Sequence, residues 1–302
     1  MLYQILKMAV ATFLSCGFLF AKDINIVFVG SGIDADPFWS VVKNGAMDAA
    51  KDMGAKVEYR NAANGDRTEM ARIIQSAISK RPDGLVVSIA DKDALAKDIK
   101  RAVDLKIPVI NVNSGAEAGK ELGALLYIGN SEYQAGLLAG KKAKTEGVKS
   151  FICVNHEITN TVLEQRCQGF ADGLGVKNNM LDAGFDPSES QKKLEPYLSQ
   201  VDAILTIGPV SASSTIDLLK KKRMKKYFVT FDLSQEITNA IKDGSIDFAI
   251  DQQQYLQGYL PIVFLTQYAK YGVIPANDVY TGPAFVTKSN VDSVQKFAGK
   301  YR

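Results

Sequence analysis

The strongest constraint on the fold is a pattern of short, continuously apolar segments that alternate with longer segments of helical period. Residues 24–29 (INIVFV) form one apolar segment, and residues 38–53 follow as an amphipathic helix that ends at Gly54. Strands that are apolar on both faces are typical of a parallel sheet with helices on both sides. Because crossovers between parallel strands are right-handed, the pattern predicts a doubly wound α/β lobe.

The same pattern runs twice along the 302 residues, which suits two Rossmann-like lobes of about 130 residues each. The predicted strands are residues 24–29, 57–60, 84–87 and 108–112 in the first half, and 150–154, 179–182, 203–207, 227–231, 248–251 and 284–286 in the second. The predicted helices are residues 38–53, 68–79, 93–105, 133–145, 160–173, 188–198, 211–223, 235–242 and 255–271.

The N-terminal segment is unlike the rest of the chain. Residues 8–20 are almost wholly apolar and follow a single positive charge. Ala21 comes next, and the polar residues Lys22 and Asp23 follow it. This layout predicts a secretory signal peptide over residues 1–21. We therefore expect an exported protein without stable membrane insertion. A lipoprotein anchor at Cys16 stays open, although apolar residues continue beyond it.

Removal of the signal peptide leaves two cysteines, Cys153 and Cys167. An even pair in an oxidising compartment favours a disulfide, and two buried thiols are the alternative.

The overall charge gives no sign of a nucleic-acid partner. Lys plus Arg number 36 and Asp plus Glu number 33, for a net charge of +3. The basic run at residues 220–226 (KKKRMKK) has two interpretations: contact with nucleic acid or an anionic membrane, or a solvated helix end. We expect the helix end, because the rest of the chain is balanced.

Polar and aromatic residues follow the predicted strands, where ligands bind in open parallel sheets. Asp36, Phe38 and Trp39 stand at a helix start, which predicts an aromatic platform for a sugar ring beside a carboxylate that accepts from hydroxyl groups. A hydrophobic staple would also account for the aromatic pair. The other candidate ligand contacts are Asn64, Asn113, Ser114, Glu157, Arg166, Asp232 and Gln252. Each alone would fit a turn or cap, but together they predict a pocket for a neutral polyhydroxylated molecule.

Motifs of catalysis are weak or missing. The chain has one histidine, His156, so neither a cluster of several histidines around a metal nor a nucleophile–histidine–acid arrangement can be identified. Gly30-Ser31-Gly32 lacks the third glycine of a dinucleotide turn, and no GxxxxGK[ST] phosphate loop occurs. An acid–base pair of His156 and Glu157 is the remaining enzymatic alternative. We expect no catalytic activity, no metal and no cofactor.

An ordered series of segments resembles the ribose- and galactose-type periplasmic sugar-binding proteins of bacterial ABC transporters, over the whole mature chain. The segments are DPFW (36–39), IPVI (107–110), YIGN (127–130), RCQGF (166–170), TFD (230–232), QQQYLQG (252–258) and TGP (281–283). The resemblance implies a type I periplasmic binding protein fold, in which a three-segment hinge near Asn130, Gln253 and Pro283 joins the lobes. The implied lobes are residues 22–129 plus 254–283, and residues 130–253 plus 284–302.

The resemblance also implies roles for individual residues. Phe38 and Trp39 should stack on the sugar, with Phe185 as a third aromatic from the other lobe. Asn64, Asn113, Arg166, Asp232 and Gln252 should hydrogen-bond it. Three departures argue against plain ribose or glucose: Asn113-Ser114 replaces an Asp-Arg pair, Gly208-Pro209 replaces an Asn-Asp pair, and Glu157 stands where the family is often apolar. A polyol, a modified sugar or a furanosyl signal molecule stays open.

The function implied is a monomeric periplasmic protein that captures its ligand by hinge closure and delivers it to an ABC transporter permease. A sensor that presents its ligand to a chemoreceptor or histidine kinase is the main alternative. The effector-binding half of a transcription repressor is disfavoured by the signal peptide, and a secreted hydrolase by the missing catalytic residues.

Overall fold

A computed structural model of the protein describes residues 23–33, 35–62, 65–160 and 162–302. The predicted signal peptide and Asn64 lie outside these residues. Within them the chain forms two six-stranded sheets with helices on both faces of each. The prediction of two doubly wound α/β lobes is confirmed.

The first sheet has the strand order β11-β5-β4-β3-β1-β2, and all its pairs are parallel. Its strands are β1 (Asn25–Gly30), β2 (Lys56–Asn61), β3 (Gly84–Val87), β4 (Val109–Asn113), β5 (Leu126–Gly129) and β11 (Val279–Tyr280).

The second sheet repeats this order as β12-β10-β9-β8-β6-β7, with β12 antiparallel to β10 and the other pairs parallel. Its strands are β6 (Phe151–Asn155), β7 (Met180–Asp182), β8 (Ala203–Thr206), β9 (Tyr227–Phe231), β10 (Phe248–Asp251) and β12 (Ala284–Thr287).

The helices lie on the two faces of each sheet, so that every sheet is covered by two apolar cores. They are α1 (Pro37–Met53), α2 (Arg67–Ser79), α3 (Lys92–Asp104), α4 (Ala116–Leu122), α5 (Glu132–Thr145), α6 (Glu164–Leu174), α7 (Pro187–Leu194), α8 (Pro209–Lys222), α9 (Gln235–Asp243), α10 (Gln254–Tyr271) and α11 (Val291–Gln295).

Helix α10 packs on α1 of the first lobe, although it follows the whole second lobe in sequence. The two backbones touch at glycines: a Cβ on Gly258 would lie 1.9 Å from the Val42 carbonyl oxygen, and one on Gly45 would lie 2.1 Å from the Tyr255 carbonyl oxygen. Helices α5 and α6 make the equivalent pair in the second lobe. Only glycine allows helices to approach this closely, which explains why these helix pairs are so tightly packed.

Hydrogen bonds tie together the segments where the chain crosses between the lobes. The Tyr127 hydroxyl accepts from the Asn130 backbone N–H at 3.0 Å. The Thr281 N–H donates to the Gly129 carbonyl oxygen at 2.8 Å, and the Gln253 amide donates to the Thr281 carbonyl oxygen at 2.6 Å. The strands of each sheet fall within the ranges predicted for that lobe, while the lobe boundaries themselves stay a prediction.

Cys153 on β6 and Cys167 on α6 form a disulfide, with their Cα atoms 5.7 Å apart. Both residues are fully buried in the core between α5, α6 and the second sheet, so the bridge fixes α6 to β6.

Candidate ligand-binding site

A cavity lies between the two lobes, beyond the carboxyl ends of the strands. The residues that line it are Asp36, Phe38, Trp39, Asn113, His156, Glu157, Asn160, Leu163, Arg166, Ile207, Gly208, Pro209 and Asp232. Seven of these are residues predicted from the sequence: Asp36, Phe38, Trp39, Asn113, Glu157, Arg166 and Asp232.

Asp36 is placed by the start of α1. It is the N-cap, and one carboxylate oxygen accepts from the Phe38 N–H at 2.9 Å, while Pro37 occupies the first helical turn. An Asp–Pro start of this kind is pre-organised for a helix. Burial raises the pKa of Asp36 to about 7, against the lowering effect of that hydrogen bond. The cavity therefore offers an acceptor whose charged form needs further hydrogen-bond donors.

Phe38 and Trp39 form an aromatic wall on the same lobe. Their rings meet edge to face, with centroids 5.2 Å apart, and both side chains are almost fully buried. Both also belong to the apolar core beneath α1, as a hydrophobic staple would. The rings are therefore held rigidly while they face the cavity, which suits stacking on the apolar face of a ring.

Asp232 supplies the carboxylate of the opposite lobe. It follows β9 with a φ of 68°, in the left-handed region, and its Oδ1 accepts from Gln252 Nε2 at 2.7 Å. Burial raises the pKa of Asp232 to about 8, although Arg166 nearby lowers it. Gln252 is fully buried but does not line the cavity, so the structure places it behind Asp232.

Arg166 is held by a partner that the sequence did not reveal. Its Nε and Nη2 both donate to the carboxylate of Glu132 on α5, with Nη2 3.2 Å from Oε1. Its Nη1 donates to the Ile207 carbonyl oxygen and lies 3.7 Å from Asp232 Oδ2. The guanidinium also lies over the Phe231 ring, 4.3 Å from its centroid. Arg166 is thus a fixed, neutralised cation in the cavity wall.

His156 faces the cavity in its neutral form. Burial lowers the pKa of His156 to about 3, and its Nδ1 lies 3.2 Å from the Ser211 hydroxyl. The Phe185 ring packs edge-on against His156, with centroids 5.4 Å apart, and does not line the cavity. Glu157 pairs with Arg67 rather than with His156, its Oε1 lying 2.6 Å from Nη2. The arrangement gives no support to an acid–base pair.

Asn113 faces the cavity at the end of β4, and Ser114 lies behind it. The Asn113 amide donates to Gln257 Oε1 at 3.3 Å, and the Ser114 hydroxyl donates to Asn113 Oδ1 at 3.0 Å. Asn160 is a polar wall residue that sequence reasoning missed. Its Oδ1 is buried without a hydrogen-bond partner among the described residues, so it offers an acceptor to a ligand. It lies five residues beyond β6, at a position where the sequence predicted the start of a helix rather than a loop.

The wall as a whole combines acceptors, one fixed cation and two aromatic rings, which is the chemistry of a site for hydroxyl groups on a ring. Among the described residues no group of three His, Cys, Asp or Glu side chains is placed to hold a metal ion. In the same part of the chain no helix is long and apolar enough to cross a membrane.

Known proteins share both the sequence pattern and the fold. The chain is 26% identical to a xylose/arabinose-binding protein of Sulfolobus acidocaldarius over 291 residues, covering 88% of this chain and 72% of the relative. It is 25% identical to a ribose import binding protein of Haemophilus influenzae, covering 85% of this chain and 86% of the relative.

Among solved structures, a carbohydrate transporter from Acidothermus cellulolyticus in complex with myo-inositol superimposes with a TM-score of 0.86 at 34% identity. The match covers 92% of this chain and 98% of that one. The family model of the periplasmic binding protein domain matches residues 26–272. The chain therefore belongs to the periplasmic binding protein domain family, a family of substrate-binding proteins.

Proposed function

We propose that this protein captures a neutral cyclic polyol or sugar in the periplasm and delivers it, chemically unchanged, to the permease of an ABC importer. One observation carries the proposal: Asp36 and Asp232, from opposite lobes, face one cavity that also holds the Phe38 and Trp39 rings. A ligand that hydrogen-bonds both carboxylates has to touch both lobes.

The chemistry favours a ring with hydroxyl groups around its edge. Such hydroxyls donate to carboxylates that burial has made costly to ionise, while the C–H face of the ring packs on an aromatic side chain. The neighbour at 34% identity holds myo-inositol, a single carbon ring with a hydroxyl on each carbon. Myo-inositol is therefore the first ligand to test, followed by the pentoses named for the curated relatives.

Delivery follows from the shape of the site. A ligand that contacts both lobes binds the closed form better than the open one, and so shifts the equilibrium towards closure. The closed protein then presents a joined surface across the two lobes for the permease. The predicted signal peptide over residues 1–21 supports a periplasmic location.

A thermal-shift screen of the mature protein against single-ring polyols and monosaccharides tests this function. A ligand at a hundred times its dissociation constant should stabilise the fold by about 2.7 kcal/mol. The Asp232→Ala variant should lose the shift, whereas Glu121→Ala, which removes an exposed ion pair with Lys92, should keep it. Mass spectrometry of the recovered ligand should show the original compound. A screen in which no polyol or sugar raises the melting temperature would refute the ligand class, and a converted ligand would refute the non-catalytic role.

A further inference from the structure

We propose that Arg67 and Glu157 form a gate between the lobes, which closes the cavity over a single ring and excludes ligands that carry a second ring. The inference rests on the proposed function for the class of ligand. The gate itself rests on contacts that do not involve a ligand.

The gate is an ion pair that spans the cleft. Arg67 begins α2 in the first lobe, and Glu157 follows β6 in the second. Arg67 Nη2 lies 2.6 Å from Glu157 Oε1, and the two side chains are only 9% and 6% exposed. Among the ion pairs of the described residues, this is the one that joins the two lobes.

Each partner is held in place on its own lobe. Arg67 Nη1 donates to the Ser31 carbonyl oxygen at 2.8 Å, beyond the end of β1. The Glu157 N–H donates to Asn155 Oδ1 at 2.8 Å, and the Glu157 carbonyl oxygen accepts from the Asn160 N–H at 2.9 Å. The two charged groups therefore meet without the loss of side-chain freedom that weakens exposed ion pairs.

The position of the pair explains why it limits ligand size. Glu157 lines the cavity, whereas Arg67 does not, so the guanidinium lies on the side of the carboxylate away from the ligand space. A second ring attached to the ligand on this side would have to separate Arg67 from Glu157, and both charges would then lack a partner in a largely water-free site.

The gate predicts two effects of its removal. The closed form loses an interlobe contact, so the ligand-free protein should open more readily and a bound ligand should leave faster. Glu157, which lines the cavity, would no longer be held by an ion pair and could move aside. Larger ligands should therefore gain access.

The selectivity experiment compares the wild type with Arg67→Ala, using myo-inositol and galactinol, which is myo-inositol carrying one galactosyl ring. Isothermal titration should show binding of myo-inositol but not galactinol to the wild type. In Arg67→Ala, myo-inositol should bind about tenfold more weakly, a change of about 1.4 kcal/mol, and galactinol should become a measurable ligand. Lys92→Ala, which breaks an exposed pair within the first lobe, is the matched control and should behave as the wild type. An unchanged preference in Arg67→Ala would overturn the gate.

A second measurement separates failure of the gate from failure of the proposed function. Small-angle X-ray scattering of the ligand-free proteins should give a larger radius of gyration for Arg67→Ala than for the wild type and Lys92→Ala. If no polyol or sugar binds the wild type, the proposed function fails and the scattering comparison alone decides the gate. If myo-inositol binds the wild type while scattering and selectivity are the same in Arg67→Ala, the gate fails and the proposed function stands.

Discussion

Asp36 and Asp232 approach one cavity from opposite lobes, and burial raises the pKa of both carboxyl groups, to about 7 and about 8. Each carboxyl is only partly satisfied by the protein: Asp36 accepts from the Phe38 N–H, and Asp232 accepts from Gln252. Hydroxyl groups of a ligand would supply the missing donors and favour the charged forms. A ligand with hydroxyl groups that donate to both Asp36 and Asp232 would therefore stabilise the closed arrangement of the two lobes.

The raised pKa values predict that the ligand-free protein loses stability as the pH rises from 6.5 to 8. In this window the folded protein binds more protons at Asp36 and Asp232 than the unfolded chain does, whose Asp groups ionise near 3.8. The free energy of unfolding therefore falls with pH, by about 1–2 kcal/mol over the window. His156 makes a smaller contribution of opposite sign: it is neutral in the folded protein throughout, whereas in the unfolded chain, with its ordinary pKa of 6.5, it is still half protonated at pH 6.5.

Urea denaturation at the two pH values measures this effect. The Asp36→Asn/Asp232→Asn double variant is the control, since it removes both titrating groups and should have nearly the same stability at pH 6.5 and 8. An equal loss of stability in the wild type and the double variant would show that other groups are responsible.

Breaking the buried pair of Arg166 and Glu132 should destabilise the fold severely. Arg166→Ala leaves the Glu132 carboxylate buried and unpaired, and we expect a loss of about 3–5 kcal/mol in the free energy of unfolding. Lys222→Ala breaks the exposed pair with Glu195 and should cost less than about 1 kcal/mol. Chemical denaturation compares the two variants, and similar losses would contradict the assigned role of Arg166 as a neutralised structural cation.

Reduction of the disulfide should lower stability without abolishing ligand binding. Cys153 and Cys167 are separated by 14 positions, and a loop of this size is worth about 3 kcal/mol in the chain-entropy model. A reductant should therefore lower the melting temperature of the wild type and leave that of Cys153→Ala/Cys167→Ala unchanged. Neither residue lines the cavity, so affinity should change little. If the reductant left the melting temperature of the wild type unchanged, the bridge would not contribute to the stability of the fold.

Phe185 and Trp39 should differ in their effect on affinity. Trp39 faces the cavity, whereas Phe185 contacts His156 from behind. Trp39→Ala should weaken ligand binding at least tenfold, about 1.4 kcal/mol, because the stacking surface is lost. Phe185→Ala should weaken it no more than about threefold. Isothermal titration of both variants decides this, and equal losses would place Phe185 in direct contact with the ligand.

The fold could be predicted from the sequence wherever an element is long and periodic. The continuously apolar segments around β1, β4, β6 and β9 predicted parallel strands, and the structure confirms them. Helices α4 and α11 and strands β5 and β11 were missed. Helix α4 is flanked by glycines, and α11 and β11 have only five and two residues. The helix predicted from residue 160 begins only at Glu164, since the loop after β6 turns inward to form part of the cavity wall.

Most of the candidate site residues that the sequence predicted directly follow a strand or begin a helix, and Arg166, inside α6, is the exception. Asp36, Asn113 and Asp232 satisfy this rule and line the cavity. The partners of the charged residues do not: Glu132 lies 34 positions from Arg166, and Arg67 lies 90 positions from Glu157. Such pairings depend on how elements distant in sequence meet in three dimensions, which a local pattern does not encode.

The most direct test of the account is a titration of the mature protein with myo-inositol, followed by the fluorescence of Trp39. Trp39 is the single tryptophan of the chain and lies in the cavity wall, so its emission reports on the site alone. We predict that myo-inositol changes the emission of the wild type in a saturable way. The Asp232→Ala variant should show no such change, although its circular dichroism spectrum should show that it is still folded. An emission that stays constant at millimolar myo-inositol and at millimolar pentose, or a response that survives in Asp232→Ala, would contradict the proposed site.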